Sequence, residues 1–226
     1  MTGARAWLRD NGLGVFFGAI FLAALAGQSV VGWQSYVDEL EAEGVTAIGW
    51  GAYVTSSSFA VDVAENWQSE YLQFTLYIWA TVWFVQRGSP ESTTPAQRGP
   101  EADAHQLAGA HARPDSPRGA SRGGIGQALY SRSLVLVMAT IFALSWLAQS
   151  IAGASAYGEQ QMLALEDPPT WAEYVVSPDF WDRTLQNWQS EFLAVGSMAV
   201  FAIHLRQRGS PESKRLGAPH GETGDP

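Results

Sequence analysis

Residues 134–151, LVLVMATIFALSWLAQSI, run for 18 positions without one charged side chain. A helix crosses the roughly 30 Å hydrocarbon core of a bilayer with about 20 mostly apolar residues. This stretch therefore reads as a transmembrane helix, and residues 13–31 (LGVFFGAIFLAALAGQSVV) qualify on the same ground. Residues 71–85 (YLQFTLYIWATVWFV) and 192–205 (FLAVGSMAVFAIHL) are short alone. Each reaches spanning length only by taking in the Trp-Gln-Ser-Glu that precedes it. The mean hydropathy of -0.05 resembles that of a soluble protein. It averages over blocks in which apolar and polar residues are segregated. Arg5 and Arg9, followed by the apolar run and Ala24-Leu25-Ala26, have the outline of a cleaved signal peptide. An uncleaved counterpart in the second half of the chain favours a retained helix.

That counterpart belongs to an internal repeat. A shift of 121 residues lays Asn66-Trp67-Gln68-Ser69-Glu70 on Asn187-Trp188-Gln189-Ser190-Glu191 and residues 86–92 (QRGSPES) on 207–213. Gln28-Ser29 falls on Gln149-Ser150, Gly32 on Gly153 and Tyr36 on Tyr157. Trp50, Tyr53, Val54, Ser56 and Phe59 meet Trp171, Tyr174, Val175, Ser177 and Phe180. The 65 positions from 28 to 92 hold 22 identities without a gap. So many polar identities in phase exceed what composition bias produces. The expected organisation is a two-helix repeat over residues 1–92, a disordered Pro/Gly/Ala/Arg-rich cytoplasmic linker over 93–123, a second repeat over 124–213 and a flexible tail over 214–226. An even number of spans per unit makes the repeat parallel, with a pseudo-two-fold along the membrane normal.

Basic residues set the orientation, because Lys and Arg concentrate on cytoplasmic loops. Arg5, Arg9, Arg87, Arg98, Arg113, Arg118, Arg122, Arg132, Arg206, Arg208, Lys214 and Arg215 all fall at the termini or between the second and third blocks. The remaining loops hold one base, Arg183. Both termini are then cytoplasmic. The net charge of -9 divides into -13 outside and +4 inside. An acidic outer face attracts cations, but solvation and obedience to topology rules are the preferred account.

Local signals add detail. The first helix is expected to reach Gly44 and the third about Leu165, where Asp167-Pro168-Pro169 stops it. Thr170-Trp171-Ala172-Glu173 has capping-box form, and Ser177-Pro178 reads as a helix start. The fourth helix is expected to run from Pro178 to about Arg208. Arg87-Gly88-Ser89-Pro90 and Arg208-Gly209-Ser210-Pro211 read as helix stops with a left-handed Gly cap.

With Arg87 and Arg208 at the inner interface, Glu70 and Glu191 lie about 25 Å along the helix, near the outer boundary of the hydrocarbon. Gln28 and Gln149 fall in the same layer, with Asn66 and Asn187 one turn above the glutamates. A carboxylate at that depth is costly unless it faces a partner, the bundle interior or water. One reading is a proton or cation site shared by the repeats. The other is a hydrogen-bonded staple between helices, with Trp67 and Trp188 as interfacial anchors. The RGSPES segments are explained as helix stops, with docking of a cytoplasmic partner as the alternative. No Cys is present, no metal-ligand spacing occurs among the four His, and no phosphate loop, nucleophile elbow or zinc-helix motif is found.

Residues 187–196 (NWQSEFLAVG) and 205–214 (LRQRGSPESK), with Ala26-Gly27-Gln28 and Gly32-Trp33-Gln34-Ser35-Tyr36, resemble a family of small bacterial membrane proteins described as a domain of unknown function. The resemblance covers roughly residues 8–92 and 125–215. It implies a bacterial inner-membrane location and carries no activity, substrate or catalytic residue.

The expectation is an all-α integral membrane protein, four transmembrane helices formed by a tandem repeat of a two-helix hairpin. It is expected to be a structural or interaction component of the membrane, with lipid and a homo-oligomeric or membrane-protein partner, and no nucleic acid, metal, cofactor or enzymatic activity. The alternative is a small proton or cation channel or transporter that uses Glu70 and Glu191.

Overall fold

A computed structural model describes residues 3–121 and 123–224. Arg122, counted above among the inward bases, lies outside the described residues, as do residues 1–2 and 225–226. Every regular element among the described residues is a helix. In chain order these are α1 (Gly3–Asp10), α2 (Gly12–Ala42), α3 (Trp50–Tyr53), α4 (Ser57–Trp83), a 3-10 turn (Gly109–His111), α5 (Arg118–Ser121), α6 (Ile125–Tyr130), α7 (Ser133–Leu163), α8 (Trp171–Tyr174) and α9 (Pro178–His204). The bounds of α7, α8 and α9 follow those of α2, α3 and α4 at an offset of 121 throughout.

Two helices, α2 and α7, are long and apolar enough to cross a membrane by length and composition. Four were expected. α4 and α9, at 27 residues each, have the length. Their first halves carry Asp62, Glu65, Asn66, Gln68 and Glu70, or Asp179, Asp182, Arg183, Asn187 and Glu191, and these dilute the apolar stretch.

The chain divides into two compact units, Met1–Val63 with Ser150–Tyr174, and Ala64–Gln149 with Val175–Pro226. In the first unit each short helix lies against its preceding long helix through the same contacts. The indole N–H of Trp50 donates to the Ser29 hydroxyl at 3.3 Å, and that of Trp171 to Ser150 at 3.1 Å. Tyr36 and Tyr53 rings lie 5.6 Å apart, Tyr157 and Tyr174 5.7 Å. Gly32 and Gly153 make room for these tyrosines. A Cβ at either position would collide with the hydroxyl of Tyr53 or Tyr174, both buried.

Helix ends follow local chemistry. α2 closes with the paired bonds of a Schellman motif, Val45 N–H to Leu40 O at 2.8 Å and Gly44 N–H to Glu41 O at 3.0 Å, with Gly44 at φ +72°. α7 closes identically, Glu166 to Gln161 and Leu165 to Met162, and places a non-glycine residue, Leu165, at φ +61°. That motif ends the helix at Leu163, two residues before the expected stop. Thr170 and Glu173 form the reciprocal capping box, with Glu173 accepting from Thr170 N–H at 2.8 Å and Glu173 N–H donating to Thr170 Oγ1 at 3.3 Å. The Thr170 main-chain N–H and hydroxyl hold the Glu173 carboxyl below its ordinary range. Ser177 caps α9 by accepting from Phe180 N–H.

At the other ends the expectation needs correction. α4 and α9 stop at Trp83 and His204, so Gly88 and Gly209 are not their caps. Each glycine sits in a separate turn at φ +89° or +83°. The reason is that Gln86 N–H is taken by Ser92 Oγ and Gln207 N–H by Ser213 Oγ, both at 2.9 Å, which diverts the backbone out of the helix.

Candidate polar site between the helices

The second unit brings α4, the first half of α7 and α9 together around polar side chains. Gln68, Gln149 and Thr184 are fully buried, and Ser69 nearly so. Gln68 accepts from the Trp188 indole N–H at 2.8 Å, and Gln149 Nε2 donates to Thr184 Oγ1 at 3.3 Å. Gln73 Nε2 donates to the main-chain carbonyl of Glu191 at 3.3 Å. Gln68 Nε2, Gln149 Oε1 and Trp146 Nε1 are buried without a hydrogen-bond partner. Trp146 is packed by Phe142, Phe180, Trp181 and Trp188 at ring separations of 5.5, 6.3, 6.2 and 5.9 Å.

Other expected site residues separate from this set. Glu70 is exposed and Glu191 half-buried. Gln28 belongs to the first unit and is half-buried there. Asn187 turns its amide to the Arg183 carbonyl of its own helix at 2.9 Å, while Asn66 lends its main-chain carbonyl to the Ser69 hydroxyl at 2.9 Å and is exposed. Trp67 is exposed, whereas Trp188 is half-buried on Gln68. Arg87 and Arg208 are both exposed.

The equivalent motifs thus differ. Gln68-Ser69 is buried, while Gln189-Ser190 is exposed. Sequence reading singled out the glutamates and missed Gln68 and Thr184 as the buried partners. Gln68 stood inside the repeated motif, so its repetition was the available signal. Thr184 had none, since Val63 occupies its place in the first repeat. Arg183 of α9 pairs with Glu65 at 3.2 Å and Asp179 at 3.5 Å. In the first unit Glu159 accepts from Ser57 at 2.9 Å and from Tyr36 at 3.4 Å. Among the described residues no group of three or more His, Asp or Glu could hold a metal ion.

The sequence profile of a family described as a domain of unknown function, DUF6766, matches residues 4–225. The chain belongs to that family. The match takes in residues 28–92, residues 149–213 and the segment between them. No curated protein and no solved structure matches the chain. The family description supplies no chemistry, so what the residues do has to come from their arrangement.

Proposed function

We propose that the chain is a multi-pass protein of a bacterial inner membrane, with α2, α4, α7 and α9 all spanning as a duplicated two-helix unit, and that it serves as a structural or interaction component rather than an enzyme. The observation that carries this reading is inverted burial. In the second unit the side chains of Gln68, Gln149 and Thr184 are among those fully buried, while Phe74, Trp79 and Trp83 of α4 and Leu193, Val200 and Phe201 of α9 are exposed. Water rejects an apolar surface of that extent, and lipid accepts it. Small and polar groups between helices are what holds spans together where hydrophobic association is absent.

The polar groups support a staple more than a pathway. Glu70 is exposed, Glu191 is half-buried, and further along α4 the Thr75 and Thr81 hydroxyls are spent on carbonyls of their own helix. A conduction path needs polar groups free to meet an ion or water.

The test uses the absence of native Cys. A membrane-impermeant maleimide should label Glu166→Cys in intact spheroplasts and Arg98→Cys only after lysis. Labelling of Arg98→Cys in intact spheroplasts would reduce the spans to α2 and α7 and sink the four-span reading.

A further inference from the structure

The two RGSPES turns are built alike but differ in what covers them. In the first, Ser89 N–H donates to Gln86 O at 3.0 Å; in the second, Ser210 N–H donates to Gln207 O at 3.2 Å. Glu91 N–H donates to Ser89 Oγ at 3.3 Å, and Glu212 N–H to Ser210 Oγ at 3.1 Å. The bonds that Ser92 and Ser213 accept from Gln86 N–H and Gln207 N–H match as well, as do the left-handed glycines. These turns present the same main-chain surface.

The first turn is occupied by the chain's own tail. Gly88 N–H donates to Thr223 Oγ1 at 2.9 Å, and Gly224 N–H donates to Ser89 O at 3.0 Å. The carbonyl of His220 lies where a Gly88 Cβ would stand. Lys214, itself buried, shapes the tail by donating its Nζ to the carbonyls of Pro219, His220 and Glu222 at 3.1, 2.9 and 3.0 Å. Gly88 and Ser89 are buried under this cover. At the second turn Gly209 is exposed, nothing lies within 4 Å of where its Cβ would stand, and Ser210 is only half-buried.

We propose that the second turn, residues 207–213, is a docking site for an extended peptide segment of a partner protein in which Ser or Thr precedes Gly. Recognition follows the pair already formed in cis. The Gly209 N–H meets the hydroxyl, and the N–H of the following Gly meets the Ser210 carbonyl, a backbone capture that needs no deep pocket. The tail is held at the first turn by its high effective concentration there and cannot fill both turns. The occupant of the second therefore comes from another chain. Main-chain recognition of this kind requires glycine at the turn, because its φ and its lack of a Cβ let the peptide approach.

The experiment titrates a labelled peptide of the tail sequence, Gly-Ala-Pro-His-Gly-Glu-Thr-Gly, against the full chain in detergent micelles. The expected result is one peptide per wild-type chain. Thr→Val in the peptide should weaken binding about tenfold or more, the loss expected for a hydrogen bond left unmade, and Thr→Ser should retain it. Gly209→Ala in the chain should abolish binding of the peptide. No saturable binding, or binding indifferent to both the peptide Thr→Val and Gly209→Ala, overturns the proposal. Self-association of the chain that Thr223→Val abolishes would make a second copy the occupant and overturn the assignment to a different protein.

Discussion

Gly32 and Gly153 show how little freedom some positions have: each is the floor beneath a buried tyrosine, so even one methyl has nowhere to go. The Gln68 amide is held as tightly by hydrogen bonding. Its oxygen accepts a hydrogen bond from the Trp188 indole N–H while its nitrogen has no partner. Trp188→Phe would leave that oxygen buried and unpaired, at about 1–3 kcal/mol. Adding Gln68→Leu removes both the orphaned oxygen and the unpaired nitrogen. A double-mutant cycle by reversible unfolding in micelles should therefore show the double variant to be more stable than Trp188→Phe alone. Additive losses would mean that the contact contributes nothing specific.

The long helices end by devices that differ in cost. α2 and α7 use the same closing bonds, but α2 has glycine at the left-handed position and α7 has Leu165, which is 94% exposed. Because Leu165 packs against nothing, Leu165→Gly should stabilise the chain by about 1 kcal/mol, the cost of a left-handed non-glycine residue. Thermal unfolding would register it, and an unchanged or lowered midpoint would remove the strain argument. Beyond α4 and α9 the two turns bring Glu91 and Glu212 together. Burial and the Glu212 charge raise the Glu91 carboxyl above its ordinary range. A raised carboxyl contributes to folding while it is protonated, and that contribution is lost as pH rises through the raised value. Glu91→Gln, which stays neutral, should therefore be more stable than wild type at pH 7, by less than about 1 kcal/mol for so exposed a pair. The difference should vanish below the ordinary carboxylate range. A gain that persists at low pH would exclude the charge as its cause.

In the second unit Gln68, Gln149 and Thr184 are fully buried beside Leu72, Phe180 and Ala202, while Phe74, Trp79, Leu193 and Phe201 are exposed. If the amides staple helices together, proteoliposomes carrying the wild type should show no proton or cation flux above empty vesicles. Flux that disappears in the folded, inserted Glu70→Gln, Glu191→Gln double variant would place the carboxylates in a path. It would also replace the structural reading with conduction.

Elements governed by near neighbours in the chain were legible from residues alone. The apolar runs of α2 and α7, the Thr170–Glu173 capping box, the Ser177 start of α9 and the offset of 121 all depend on short-range chemistry or on composition. The resemblance to an uncharacterised family came from motifs of the same local kind, and the profile match over residues 4–225 extends it. What escaped was whatever required knowing which residue lies opposite. The repeated Asn-Trp-Gln-Ser-Glu motifs are identical in sequence, yet one glutamine is buried against Trp188 and the other is exposed. Likewise the twin RGSPES turns are alike, yet only one is covered by the tail. Here the identical segments take up matching local backbones. Their environments come from segments far away in the chain, and only the tertiary structure brings those segments to one copy and not the other.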